Sequence, residues 1–104
     1  MIKMGISVKE DEGRVTALLS GEIDHHNAPL LRAEIDNALE RLRPEELVLD
    51  FGEVSFMDSS GIGLVIGRCK LMKDIGGRVM INNTSTSIKK VMKLAGLDML
   101  TTIC

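Results

Sequence analysis

The sequence has few aromatic residues and no excess of basic ones. Among 104 residues there are two phenylalanines, no tryptophan and no tyrosine, and 13 Lys and Arg residues are set against 15 Asp and Glu residues, for a net charge of −2. Proteins that bind single-stranded nucleic acid stack bases on aromatic side chains, and nucleic-acid-binding domains in general carry a basic face. The composition therefore argues against nucleic-acid binding.

Cysteines and long apolar runs are also scarce. Cys69 lies inside a helical pattern and Cys104 is the last residue, so they form neither a disulfide framework nor a metal-binding Cys-x-x-Cys pair. No stretch approaches the roughly 18 apolar residues of a membrane span, and the N-terminus lacks the apolar region of an export signal. We therefore predict a protein of the reduced cytoplasm, neither exported nor inserted in a membrane.

Strand and helix patterns alternate along the chain, which is large enough for one hydrophobic core. The predicted strands are 4–8, 15–20, 47–51, 78–81 and 101–103, and the predicted helices are 27–42, 59–74 and a third from the polar run 84–87 to Gly96. The apolar run 47–51 predicts a central strand covered on both faces and paired in parallel with strand 15–20. The order β-β-α-β-α-β-α-β predicts a single α/β domain over residues 1–104, with a mixed, mostly parallel sheet of about five strands.

The segment 56–63, FMDSSGIG, places two hydroxyls and a carboxylate where an extended segment turns into a helix. Backbone N–H groups and the helix dipole favour negative charge at such a point, and a phosphoserine brings about −1.5 to −2 charge units. We therefore predict a regulatory phosphorylation site at Ser59 or Ser60. The simplest structural role of Ser59 is a helix N-cap, worth on the order of 1 kcal/mol.

The DSSGIG pattern of residues 58–63, preceded by GEIDHH at 21–26 and followed by Gly67-Arg68 and IGG at 75–77, resembles the bacterial anti-sigma factor antagonists of the STAS class. The resemblance extends from about residue 4 to residue 103 and is strongest to sporulation members of the class. It implies the STAS fold, although the final C-terminal helix of that fold is absent from this chain. It also implies that the serine directly after the aspartate, Ser59, is the phosphoacceptor, with Ser60 the weaker candidate.

The resemblance further implies a binding switch that is not an enzyme. In such proteins the unphosphorylated form binds an anti-sigma factor that holds ATP or ADP, and the sigma factor is released. The anti-sigma factor is also a serine kinase that phosphorylates the antagonist, and a PP2C-type phosphatase reverses the step. The expected contact surface comprises Asp24, His25, Ser59, Ser60, Ile62 and Gly63, and Ile62 is expected to be an exposed apolar anchor.

Asp24 and Asp58 are expected to shape the site around Ser59. Before phosphorylation an aspartate can accept a hydrogen bond from the serine hydroxyl and orient it. Afterwards, a helix N-terminus stabilises the phosphate by about 0.3–1 kcal/mol, whereas two like charges about 4 Å apart at an effective dielectric constant of about 20 cost several kcal/mol. Phosphorylation is therefore expected to repel an acidic partner without refolding the protein.

A dinucleotide site fits the sequence poorly. Gly61, Gly63 and Gly67 do not directly follow the first strand, and no acidic residue ends the next strand, as the Rossmann pattern requires. The simpler interpretation is that these glycines let the second helix lie close to its neighbours.

A hydrolase and a metal site fit no better. A nucleophilic Ser59 would need a histidine as base and Asp24 to orient it. Asp24, His25 and His26 are adjacent in sequence, which leaves too little room for an acid and a base to form a relay, and the Gly-x-Ser-x-Gly elbow is missing. His25 and His26 lack a third ligand nearby in sequence, so neither a metal nor another cofactor is expected. The alternative of a different class is a STAS scaffold or ligand-sensing module that binds a partner and is never phosphorylated.

Overall fold

Strands and helices alternate along residues 5–104, the part of the chain that the computed structural model describes. The strands are β1 (Gly5–Asp11), β2 (Arg14–Ile23), β3 (Glu46–Met57), β4 (Arg78–Asn82) and β5 (Thr102–Ile103). The helices are α1 (Ala28–Leu42), α2 (Ser59–Asp74) and α3 (Thr86–Leu94), and a 3-10 turn (Leu97–Met99) precedes β5. The predicted element order is confirmed, while the predicted strand start at Met4 lies outside the described residues. None of the helices in this part of the chain is long and apolar enough to cross a membrane.

The first two strands form a tight antiparallel hairpin. Glu12 and Gly13 form its turn, with φ values of 48° and 83°. Two successive residues with positive φ are typical of the primed turns, whose twist matches that of the flanking strands. The turn is therefore shorter than the gap between the predicted strands 4–8 and 15–20.

The sheet has the strand order β1-β2-β3-β4-β5, with β1 antiparallel to β2 and the other neighbouring strands parallel. This confirms the predicted mixed, mostly parallel sheet and the parallel pairing of the second and third strands. Crossovers between parallel strands are right-handed, so strands added one after another in the same direction place their helices on the same face. The helix-covered face of the sheet is therefore the face that holds the core.

The core lies between this face and the helices. Its fully buried members with the largest side chains are Leu19, Ile23, Leu31, Ile35, Leu39, Leu47, Leu49, Phe51, Met72, Ile81, Met92 and Leu97. Val48, in register with Thr16 and Met80, lies on the opposite face and outside the core cluster. Helices cover only one face of strand 47–51, because sequential strand order puts the crossovers on one side, yet Val48 on the other face is only 4% exposed, as expected of a strand covered on both faces.

Both central strands are longer than predicted, and this positions the site. β2 continues to Ile23 and β3 to Met57, and these two residues pair at the end of the ladder. Register shifts between Leu18 and Ser20 and between Gly21 and Glu22 let the strands stay paired over this length. The segment 52–57, expected to separate strand from helix, is strand, so the loops that begin at Asp24 and Asp58 start side by side.

A buried carboxylate joins three of the parallel strands, β2, β3 and β4, at the opposite end of the sheet. Glu46 Oε1 accepts a hydrogen bond from Arg14 Nε at 2.6 Å, and its Oε2 accepts one from Arg78 Nε at 3.0 Å. Glu46 is only 4% exposed, whereas both arginine side chains are mostly exposed. Burial acts to raise the pKa of Glu46, but the hydrogen bonds from the two arginines outweigh it and hold the pKa below its ordinary value of 4.5.

Replacing this carboxylate by an amide should destabilise the protein in a pH-dependent way. Glu46→Gln is expected to lower the free energy of unfolding by about 1–3 kcal/mol at pH 7, because the neutral amide can accept from only one arginine and turns its NH2 group toward the other. A carboxyl with a lowered pKa stabilises the fold above its unfolded-state pKa, and this stabilisation disappears as the pH falls through its folded-state pKa. The difference between the two proteins should therefore shrink below about pH 4. Urea unfolding of the wild type and the variant at pH 7 and at acidic pH measures this difference in the free energy of unfolding.

The exposed Glu34 of α1 supplies the control. Glu34→Gln should change the free energy of unfolding by less than about 0.5 kcal/mol. An effect of Glu46→Gln that is the same at both pH values would contradict the electrostatic explanation.

Candidate functional site

The N-terminus of α2 is capped by Asp58. Its Oδ1 accepts a hydrogen bond from the backbone N–H of Ser60 at 2.8 Å, and its backbone lies in the extended region, as an N-cap requires. Ser59 is the first helical residue, and its side chain is exposed. The alternative role of Ser59 as the N-cap is therefore wrong, because the residue before it takes that position.

The hydroxyl of Ser59 makes no hydrogen bond with any residue from 5 to 104, so the fold does not depend on it for a polar contact. Ser60 is half-buried, and its backbone N–H is held by the cap. Ser59 is thus the more accessible of the two serines. Its role as phosphoacceptor stays a prediction.

Asp24 closes a compact turn between β2 and α1. Its Oδ1 accepts hydrogen bonds from the backbone N–H groups of His26 at 2.9 Å and Asn27 at 3.0 Å, while Asn27 Oδ1 accepts one from the backbone N–H of Asp24 at 2.9 Å. The hydrogen bond from Asn27 lowers the pKa of Asp24, and it is helped by the bond from His26 and by the charges of His25 and His26 against a desolvation effect that raises it. The carboxylate is therefore ionised at neutral pH, and its orientation is set by its own turn.

The two aspartates lie on neighbouring loops. Asp24 follows Ile23 and Asp58 follows Met57, the last paired residues of β2 and β3, and the backbone N–H of Asp58 donates to the carbonyl of Ile23 at 3.0 Å. The carboxyl ends of parallel strands meet at the same edge of a sheet, which explains how residues 34 positions apart come together. Within residues 5–104, the Oδ2 of neither aspartate makes a hydrogen bond, so each carboxylate keeps an acceptor for other groups.

A groove of about 340 Å³ runs between α1 and α2 next to these loops. Its lining residues are His25, Ala28, Pro29, Arg32, Ser60, Gly63, Leu64, Gly67 and Arg68. Three residues of the predicted contact surface, His25, Ser60 and Gly63, therefore share one groove, whereas Ser59 lies outside its lining. The two arginines were not predicted as site residues, although an arginine directly after the apolar run 61–67 was a visible signal at position 68.

The glycines of α2 differ in what surrounds them. A Cβ on Gly61 would lie 2.1 Å from Met57 Cγ, so only glycine lets this turn of the helix approach the end of β3. A Cβ on Gly63 or on Gly67 would meet no atom within 4 Å in the described structure. The interpretation that all three glycines serve close packing is therefore correct for Gly61 and wrong for the other two.

This contrast predicts opposite stability changes. Gly63→Ala should raise the free energy of unfolding by about 0.5–1 kcal/mol, because alanine loses less backbone entropy in a helix. Gly61→Ala should lower it by about 1–3 kcal/mol, since the buried Met57 must move. Urea unfolding of this matched pair tests both signs, and a destabilised Gly63→Ala protein would reveal a packing contact that the structure lacks.

Large apolar side chains are exposed near the site, but not where the sequence suggested. Ile62 is half-buried and packs against the core, so only part of it is available as an anchor. Phe56, the second-to-last residue of β3, is 52% exposed, and Leu30 in the first turns of α1 is 61% exposed. These two residues offer more apolar surface than Ile62, whose role in partner contact stays a prediction.

Comparison with known proteins places this geometry in a family. Residues 5–104 match the STAS domain. The anti-sigma F factor antagonist of Paenibacillus polymyxa is 32% identical over 96 residues, which cover 92% of this chain and 82% of that protein. The anti-sigma-B factor antagonist of Bacillus subtilis (strain 168) is 30% identical over 96 residues, which cover 92% of this chain and 86% of that protein.

The fold is also that of a solved anti-sigma factor antagonist. The unphosphorylated form of SpoIIAA matches with a TM-score of 0.83 and 32% identity, over 96% of this chain and 88% of that chain. The phosphorylated form of the Bacillus protein matches with a TM-score of 0.75 and 32% identity, over 96% of this chain and 91% of that chain. The resemblance drawn from residues 58–63 and their flanking motifs is confirmed, and the chain belongs to the STAS domain family.

Proposed function

We propose that this protein is an anti-sigma factor antagonist that is switched off by phosphorylation of Ser59. The observation that carries the proposal is the position of Ser59 directly after the capping Asp58, where it is exposed and makes no side-chain hydrogen bond within residues 5–104, in a fold shared with both forms of SpoIIAA. Unphosphorylated, the protein binds an anti-sigma factor and the sigma factor is released. Phosphorylated, it does not bind.

The partners follow from this role. The anti-sigma factor is also the serine kinase, it holds the ATP, and a PP2C-type phosphatase restores the active form. The exchange takes place in the cytoplasm, where sigma factors meet RNA polymerase. Similarity to an anti-sigma F factor antagonist and to SpoIIAA supports a role in sporulation.

The protein is a binding switch and not an enzyme. A nucleophilic serine needs a base within hydrogen-bonding reach, and the Ser59 hydroxyl contacts none within residues 5–104. Asp24 directs its Oδ1 to backbone N–H groups and does not orient a histidine as a relay would. The arrangement supports recognition of Ser59 by a kinase that brings its own catalytic groups.

The switch acts through local charge. A phosphate on Ser59 would add about −1.5 to −2 charge units next to Asp58 and one loop away from Asp24. The free N–H groups of the helix N-terminus offset only about 0.3–1 kcal/mol of the repulsion. The modified surface therefore rejects an acidic partner, while the core beneath it keeps its packing.

Incubation with a kinase partner tests the proposal. The anti-sigma F factor of Paenibacillus polymyxa, mixed with this protein and ATP, should bind it and then add one phosphate per chain, as read by calorimetry and intact mass. If the factor binds the protein, adds no phosphate to it, and binds with the same affinity after the incubation with ATP, the protein is instead a STAS scaffold that is never phosphorylated. Ester turnover by the isolated protein would point to an enzyme.

A further inference from the structure

The groove between α1 and α2 contains two glycines that the fold does not need. Gly63 and Gly67 are one turn apart on the groove side of α2, and a Cβ at either position would meet nothing within 4 Å. Glycine in a helix interior costs about 0.5–1 kcal/mol relative to alanine. The open strip of backbone they create is useful to a molecule that enters the groove.

A buried arginine, ion-paired on one side with Asp36, lines the same groove. Arg68 is 7% exposed, and its Nε lies 2.9 Å from Asp36 Oδ1 but is not aligned for a hydrogen bond. Within residues 5–104, the buried Nε and Nη1 of Arg68 have no hydrogen-bond acceptor. Buried polar groups are nearly always paired, and a guanidinium has five N–H donors, so Arg68, with the one carboxylate of Asp36 beside it, can take a further acceptor on the side that lines the groove.

The charge of the groove has one sign. Arg32 and Arg68 both line it, and none of the residues assigned to its lining is acidic. Asp36 lies beside Arg68 but outside the lining, and its side chain is 36% exposed. The groove is thus a positive recess on a protein of net charge −2, and it opens next to His25 and Ser60.

We propose that this groove receives an acidic side chain from a segment of the anti-sigma factor. The segment passes close over Gly63 and Gly67, and its acidic side chain places the carboxylate on Arg68 and Arg32. The inference rests on the proposed function and adds a second, permanent contact to it. Guanidinium groups bind carboxylates through paired N–H donors, and the groove is continuous with the surface around Ser60. The acidic partner is thereby attracted by the groove in one state and repelled by the phosphate in the other.

Charge reversal and steric filling test the groove separately from the phosphorylation site. Arg32→Glu should weaken binding of the anti-sigma F factor of Paenibacillus polymyxa by about 10-fold or more, with a shallower salt dependence. Arg41→Glu, the same change at an exposed position of α1 outside the groove, is the control and should bind within about 2-fold of wild type. Gly67→Leu should block binding without lowering the melting temperature, because a Cβ at this position would meet no atom of residues 5–104 within 4 Å and leucine favours helix.

A charge swap identifies the partner group. Acidic residues of the anti-sigma factor are changed to lysine one at a time, and one of these variants should recover binding to the Arg32→Glu protein. If Arg32→Glu and Gly67→Leu bind like wild type while Ser59→Asp binds weakly, the groove inference is wrong and the proposed function stands. If the wild-type protein binds neither this factor nor the anti-sigma-B factor of Bacillus subtilis, the proposed function fails, and the inference fails with it.

Discussion

A Ser59→Ala variant is expected to take up no phosphate from an anti-sigma kinase while folding as the wild type does. The substitution should leave the fold stable, because Asp58 caps α2 and the Ser59 hydroxyl has no hydrogen bond within residues 5–104. Alanine is also a good helix former, so the free energy of unfolding should change by less than about 0.5 kcal/mol. Intact mass after incubation with kinase and ATP, peptide mapping and urea unfolding measure these effects.

The neighbouring residues supply the controls for this prediction. Ser60→Ala should still be phosphorylated, because its hydroxyl lies toward the groove and not at the exposed first helical position. Asp58→Ala should cost about 0.5–2 kcal/mol of stability through loss of the cap. A phosphate mapped to Ser60, or to the 84–87 segment before α3, would show that the assignment of Ser59 is mistaken.

A Ser59→Asp variant is expected to bind the anti-sigma factor about 10-fold more weakly than wild type, a change of about 1.4 kcal/mol. The added carboxylate lies beside Asp58 and near Asp24, and like charges at short range repel an acidic partner. The mimic should be partial, because a carboxylate carries less charge and fewer acceptor oxygens than a phosphate. Higher salt should restore part of the affinity, since exposed charges more than about 8–10 Å apart are screened at 0.1–0.15 M.

Calorimetry at two salt concentrations and backbone amide spectra test this mechanism. Amide shifts should be confined to residues 22–28 and 56–64, because the charge acts locally. Ser87→Asp is a matched control, since it makes the same change in the exposed first turn of α3 and should leave affinity unchanged. Equal affinities for wild type and Ser59→Asp, or shifts that extend through α3 and the central strands, would mean that phosphorylation works by a conformational change.

Residue patterns along the chain were enough to predict the fold class and the family. Strand and helix periodicity is local, so the element order, the bounds of α2 and the parallel pairing of the second and third strands could be predicted from residue spacing. The DSSGIG pattern of residues 58–63 likewise identified the family, because it concentrates unusual residue types in a short segment. Strand ends were predicted less well, because pairing between strands extended β2 and β3 to Ile23 and Met57.

The packing of strands and helices sets how the candidate site residues lie relative to each other. The cap belongs to Asp58 and not to Ser59, since the backbone geometry at the end of β3 sets which residue precedes the helix. Ile62 is half-buried and Phe56 exposed, because α2 turns the first toward the core and β3 turns the second away from it. Arg32 and Arg68 are 36 positions apart, and only the packing of α1 beside α2 places them in one groove. Such long-range juxtapositions depend on the order and handedness of the crossovers, which spacing along the chain does not encode.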